Sequence, residues 1–217
     1  SALANQNKNS EILETGTPSA GGGLQVSQLF IYPIKSLGGI AKESIEITAT
    51  GFKHDRRWML VDENNMFLTQ RTHHSMALLQ VSENNDGIIV FHKQDPSQSI
   101  LIPFAMEYPK RISVTVWDDV CEALEAGEEI NNWFSQALNM KCKLVYMPDD
   151  SRRLVDKNYA ANNEITSFSD AYPILIIGQS SLDNLNEKLE EALPMNRFRP
   201  NIVFTGGHAH IEDEMAV

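Results

Sequence analysis

An α+β, mostly β architecture is predicted by three features of the chain. Short apolar runs cut by turn residues extend from Val26 to about Ala126, one amphipathic stretch follows, and β-branched runs return near the C-terminus. The expected arrangement is an N-terminal antiparallel β-barrel-like domain with one amphipathic helix, followed by a shorter second unit. At 217 residues, 42% of them hydrophobic, there is enough chain to bury a core in one large domain or two small ones.

Taken in order, residues 1–23 are rich in Asn, Ser, Thr, Gly and Gln, lack aromatics and close on Gly21-Gly22-Gly23. Such a stretch buries too little to offset its ordering entropy, so a flexible tail or linker is expected. The first domain is placed at 24–148. Its strands are predicted at Val26–Tyr32, Ser44–Ile47, Trp58–Val61, Met66–Thr69, Leu78–Val81, Ile88–Phe91, Ser99–Ile102 and Ile112–Val116. Turn signals at Thr50-Gly51, Glu63-Asn64-Asn65, Asn84-Asn85-Asp86-Gly87 and Asp95-Pro96 separate them. Over Glu128–Asn139, Ile130, Trp133, Phe134, Ala137 and Leu138 make one helical stripe, with Glu128 and Glu129 at the positive end of the dipole. A strand over Lys143–Met147 ends at Pro148. Residues 149–170 are polar, contain Arg152-Arg153, and read as a linker. The second unit, 171–217, opens with a strand at Ile174–Ile177 and a helix from about Ser181 to Ala192 that Ser180 is placed to cap. It closes on the strand Ile202–Phe204. No later segment is left to pair with that strand, so the chain is expected to be cut from a longer protein.

The formal net charge of −11 argues against general nucleic-acid binding, which draws on a basic surface. No apolar run approaches the roughly 20 residues of a membrane span, and the N-terminus lacks a signal-peptide pattern. A cytoplasmic protein is the expectation. Cys121 and Cys142 fit neither a disulfide framework nor a four-ligand zinc site, and read as small buried hydrophobes.

Against the acidic average, cationic groups concentrate at a few places. Arg197-Phe198-Arg199-Pro200-Asn201 sets two guanidiniums on an extended, proline-locked segment, with the Asn201 amide suited to a heterocycle edge. Lys35 and Ser36 follow a strand end and precede Gly38-Gly39, glycines that allow close backbone approach to a ligand. In His54-Asp55-Arg56-Arg57-Trp58 the two arginines face opposite ways, and Asp55 either orients Arg56 or neutralises it. Arg71 is a further candidate at a strand end. Gly178-Gln179-Ser180-Ser181 feeds a helix whose free N–H groups suit an anion. Together these read as a seat for a small, multiply charged anion, or as ion pairs with the many carboxylates. The spacing of His208, His210, Glu212 and Asp213 matches no metal motif, so no metal ligand is assigned. No Ser/His/Asp order or paired-carboxylate spacing supports a catalytic assignment.

Five segments in order, Ile31-Tyr32-Pro33-Ile34-Lys35-Ser36, Asp55-Arg56-Arg57-Trp58-Met59-Leu60-Val61 after Gly51, Trp117-Asp118-Asp119, Val145-Tyr146-Met147-Pro148 and Arg197-Phe198-Arg199-Pro200-Asn201-Ile202-Val203, resemble the MOSC proteins with an N-terminal β-barrel domain. MOSC names the C-terminal domain of molybdenum cofactor sulfurases, and the layout is similar to that of the mitochondrial amidoxime-reducing component and its bacterial relatives. The resemblance implies that 171–217 is the first part of a MOSC β-barrel domain. It implies a molybdenum cofactor held by Lys35, Ser36 and Arg56 from the first domain and by Ser181, Arg199 and Asn201 from the second. A parent of this kind would reduce N-hydroxylated small molecules with electrons from a reductase- or ferredoxin-like protein. The family's metal-ligating cysteine is expected downstream of Val217, so this chain alone should turn over little or not at all. The alternative is a sulfur-carrier module that receives persulfide sulfur from a pyridoxal-phosphate cysteine desulfurase.

Overall fold

The computed structural model describes residues 11–16, 23–158, 160 and 162–215. In chain order, β1 (Ile12–Glu14), β2 (Gln25–Ile31), β3 (Ile40–Lys42), β4 (Ser44–Thr48), β5 (Gly51–Phe52) and β6 (Trp58–Val61) come first. A 3-10 turn at His74–Leu78 leads into β7 (Leu79–Glu83), β8 (Gly87–His92), β9 (Asp95–Pro103), β10 (Lys110–Val116) and β11 (Asp119–Glu125). Then follow α1 (Glu128–Leu138), β12 (Lys143–Tyr146), β13 (Arg153–Leu154), β14 (Ile165–Thr166), β15 (Ile176–Gly178), α2 (Gln179–Asn186) and β16 (Ile202–Thr205). The mostly β prediction is met by several small sheets, antiparallel except for the β15–β16 pair, and the described residues form no single closed barrel.

Strand β6 divides the larger part of the core. Its side chains alternate between two faces, both buried. Trp58 and Leu60 enter a cluster with Leu79, Ile88 and the α1 residues Ile130, Phe134 and Leu138. Met59 and Val61 enter another with Val114, Ala123, Val145 and Phe168. One edge of β6 pairs with β12. Its other edge makes single bridges to Ile34 and to Phe67. Those two bridges hold Ile34 and Phe67 against opposite ends of β6, and the Lys35 ammonium reaches to 5.6 Å from the Phe67 ring to form one wall of the site.

The second unit is not a separate layer. β16 pairs parallel with β15 on one side and antiparallel with β2 on the other, in the order β15-β16-β2-β3. The final strand therefore has partners on both edges within this chain, contrary to the expectation from its place at the sequence end. The register sets Ile202 opposite Leu29, so Arg199 and Asn201 arrive beside Ile31 and Tyr32.

Other expectations are corrected locally. Residues 12–14, placed in the tail, form β1 against β4, while 1–10 and 17–22 lie outside the described residues. The 149–170 linker holds the β13/β14 ladder and buries Ser167, Phe168 and Ser169. Met66–Thr69 makes isolated bridges in place of a strand. β11 was not anticipated, because small Cys121 and Ala123 form its buried face and mask the alternation. Gly178, not Ser180, stands at the N-cap of α2, which ends at Asn186, short of Ala192.

Candidate functional site

A cavity of about 750 Å³ opens where the β2 end, the β6 edge and the segment before β16 meet. Lys35, Arg56, Arg71, Arg197 and Arg199 line it, and Asp170 is the one carboxylate among the described residues in its wall. An acidic chain has thus gathered five fixed or titratable cations around one space.

Lys35 is the deepest of these. Its backbone N–H donates to the Trp58 carbonyl at 2.8 Å, continuing the bridge at Ile34. Its Nζ donates to the Phe168 carbonyl at 2.7 Å and to Asp170 Oδ1 at 2.5 Å. The Phe67 and Trp117 rings stand 5.6 and 6.0 Å away. Burial brings its pKa down to about 8, against the pull of Asp170. Asp170 itself is pushed up by partial burial, but Lys35 and the hydrogen bonds from Lys35 and Trp117 outweigh this and leave its carboxyl below the ordinary range.

Arg56 and Arg199 form the floor. Both have left-handed backbone, φ 47° and 57°, which bends each chain at that residue. The expected extended clamp is in fact a 3-10 turn at Met195–Arg197 followed by this bend. Their Cζ atoms lie 4.6 and 4.2 Å from the centroid of the buried Tyr32 ring, so one aromatic quadrupole serves two cations. Asp55, 1% exposed, completes the arrangement: Oδ2 accepts from Arg56 Nη1 at 2.6 Å, and Oδ1 from the Tyr32 N–H at 2.7 Å. Arg199 donates to the Leu37 carbonyl, and burial, then the neighbouring Arg56, brings its pKa down to about 10. Arg57 faces away and binds the Met147 carbonyl and Asp149, as strand alternation required.

The six residues expected at a cofactor therefore divide. Lys35, Ser36, Arg56, Arg199 and Asn201 line one cavity, and Ser181 does not. Ser181 Oγ accepts the His210 N–H at 2.8 Å. The N-terminus of α2 is served by Glu212, whose Oε1 accepts the Gly178 N–H at 3.0 Å, so this chain's own carboxylate sits where an anion was expected. Asn201 is largely committed to the fold: Oδ1 accepts from Arg56 Nη1 and from the Leu175 N–H, while Nδ2 donates to the Phe30 carbonyl. With both acceptor lone pairs taken, it has at most one N–H left for a heterocycle.

Gly38-Gly39 also does another job than expected. A Cβ at Gly39 would overlap Tyr32 Cε1, so the glycine makes room for the ring on which both guanidiniums rest. Gly39→Ala is expected to cost about 1–3 kcal/mol through overpacking, measurable as a lowered urea midpoint.

Sequence reading missed Arg153 and Asp170. Arg153, 5% exposed, pairs with Asp119 at 2.7 Å and donates to the carbonyls of Ser167, Ser169 and Asp170. It clamps the turn that offers Lys35 both of its acceptors. The available signal was Phe168, a large apolar residue in a polar run.

Neither cysteine lies in the cavity wall. Both are buried, and burial pushes the Cys121 thiol up to about 11 and raises Cys142 as well. Among the described residues no group of three His, Cys, Asp or Glu side chains is placed to hold a metal ion. No helix among them is long and apolar enough to cross a membrane.

Fold and cavity define a two-part β protein whose later strands close onto the first strand of the earlier domain, with a cationic pocket at the seam. The chain belongs to the MOSC family: residues 23–141 match the MOSC N-terminal beta barrel domain and residues 163–217 the MOSC domain. It is 29% identical over 199 residues to mitochondrial amidoxime-reducing component 1 of Mus musculus, covering 87% of this chain and 57% of that protein. It is 30% identical over 205 residues to mitochondrial amidoxime reducing component 2 of Bos taurus, covering 87% and 58%. Against molybdenum cofactor sulfurase of Caenorhabditis elegans the identity is 27% over 191 residues, covering 87% and 25%. The chain thus spans little more than half the length of the amidoxime-reducing relatives.

Proposed function

We propose that the cavity holds the phosphorylated pyranopterin of a molybdenum cofactor, and that a protein comprising this chain and the remainder of its relatives' length reduces N-hydroxylated compounds. The observation that carries this reading is the cationic wall: Lys35, Arg56, Arg71, Arg197 and Arg199 around one space in a chain of net charge −11. Ammonium and guanidinium donors suit phosphate oxygens, and the volume is in the range of small-molecule sites. The fit is partial. The described residues supply a phosphate seat and aromatic walls but no accessible thiolate for a soft metal.

When bound, the molybdenum centre supplies the electrons that cleave an N–O bond. The chain's own part is binding and orientation. Lys35 and Arg56 would hold the phosphate from the first domain and Arg199 from the segment before β16, while the Phe67 and Trp117 rings flank the Lys35 ammonium. Similarity to the sulfurase supports the second reading, a sulfur carrier, but that role needs a reactive surface thiol. Both cysteines here are buried, with raised pKa values.

The test is retention of pterin by the chain purified from cofactor-producing cells, read as released pterin fluorescence per chain. Wild type should retain it. Lys35→Met should lose about 1.5–3 kcal/mol of binding, the range of one charge-assisted hydrogen bond, and purify nearly empty. Retention by Lys35→Met equal to wild type would sink the assignment of Lys35.

A pH dependence follows from the Lys35 ammonium, which faces Asp170, Arg153 and Arg56. Its pKa is lowered from the ordinary lysine value of 10.5 to about 8, so the charge that attracts an anion is present below that pH and lost above it. Phosphate affinity should therefore fall as pH rises past about 8, and Lys35→Arg should abolish that decline. Titration calorimetry across pH 7 to 9, below the pKa of about 10 at which Arg199 loses its charge, reads both outcomes.

A further inference from the structure

We propose that Asp170 is the resident counter-ion of the cavity: its carboxylate occupies the seat that an incoming phosphate takes beside Lys35, and having to displace it selects dianions over monoanions. This rests on the reading of the cavity as an anion site.

Three observations converge on Asp170. It is the one carboxylate among the described wall residues, set among five cations. Its Oδ1 accepts from Lys35 Nζ at 2.5 Å and from Trp117 Nε1 at 3.1 Å, two donors that a phosphate oxygen could equally use. The two partners also differ in freedom. The Lys35 side chain is 6% exposed and held by the Phe168 carbonyl and two rings, whereas that of Asp170 is 64% exposed.

Displacement therefore needs only rotation of Asp170 into water. The backbone of its turn stays put, because Arg153 grips the carbonyls of Ser167, Ser169 and Asp170. A carboxylate turned outward regains hydration at low cost, whereas the buried Lys35 ammonium has no such path to water and stays to meet the phosphate. Charge arithmetic gives the selectivity. A monoanion that replaces the carboxylate at Lys35 leaves the local charge unchanged and gains little. A dianion adds one negative charge, which Arg71, 5.2 Å over the same Trp117 ring, is placed to meet.

The experiment compares wild type with Asp170→Asn from pH 6 to pH 8, because losing Asp170 also removes the pull that keeps Lys35 charged, and uses inorganic phosphate and acetate as probes at constant ionic strength. Calorimetry reads affinity, and tryptophan emission reports Trp117 as it loses its acceptor. Wild type should bind phosphate with a change in emission and show no saturable acetate binding. Asp170→Asn should bind phosphate more tightly, by up to about fivefold, the factor expected for an ion pair with one exposed partner, and should now bind acetate. Asp170→Ser should behave likewise, which separates loss of the carboxylate from an effect of the new amide. Unchanged or weaker phosphate binding in both variants overturns the inference while leaving the anion site intact. Absence of phosphate binding in wild type and variants alike removes the site and the inference together.

Discussion

Replacing Asp55 with alanine is expected to cost about 3–5 kcal/mol of folding stability, because it strips a buried guanidinium pair of its counter-ion. Asp55 is 1% exposed and the Arg56 side chain 13% exposed. With the carboxylate gone, Arg56 keeps only the Asn201 Oδ1 and the Arg199 carbonyl, and Arg199 stands on the same Tyr32 ring with its own positive charge. The Tyr32 N–H loses its acceptor as well. Asp55→Asn should fall between: its amide oxygen can still accept from Tyr32, but its amide N–H atoms face the guanidinium of Arg56. Urea unfolding orders the three proteins. An unfolding free energy for Asp55→Ala within about 0.5 kcal/mol of wild type, the range of an ordinary surface change, would show that the two arginines do not depend on this carboxylate.

That dependence bears on what the sequence could disclose. Residue types were legible: Lys35, Arg56 and Arg199 were singled out by positive charge beside strand ends, and they line one cavity. The convergence itself was not legible. It follows from β16 pairing with β2 across more than 170 residues of chain, and a register of that kind leaves no local periodicity. Helix α1 was readable because its apolar stripe repeats within eleven residues. Tyr32 looked like one more strand residue, yet its ring is the surface on which two cations rest. Asn201 shows the opposite error. Its chemistry suits a ligand, but most of its hydrogen-bonding capacity goes to joining Phe30, Arg56 and Leu175. A functional group in a sequence does not say whether the fold has already used it.

Arg152 and Arg153 put the same point to a direct test, since they are neighbours of identical chemistry in a stretch that read as solvated linker. Arg153→Ala is expected to lose roughly 3 kcal/mol or more, whereas Arg152→Ala, which removes an exposed side chain, should stay within about 0.5 kcal/mol of wild type. The ion pair with Asp119 contributes little to this difference, because the Asp119 side chain is 48% exposed and can rehydrate. The loss comes from the carbonyls of Ser167, Ser169 and Asp170, which share one guanidinium around a turn where Ser167 and Ser169 are buried. Arg153→Lys should recover only part of it, since an ammonium cannot spread its donors as a planar guanidinium does. Loosening this turn also moves the two acceptors of Lys35, so phosphate affinity should fall in Arg153→Ala even under conditions where the variant is fully folded. Calorimetric titration of the folded variant reads that second effect. A destabilised Arg153→Ala that binds phosphate as tightly as wild type would mean that the turn supports the core through Phe168 without positioning the ammonium.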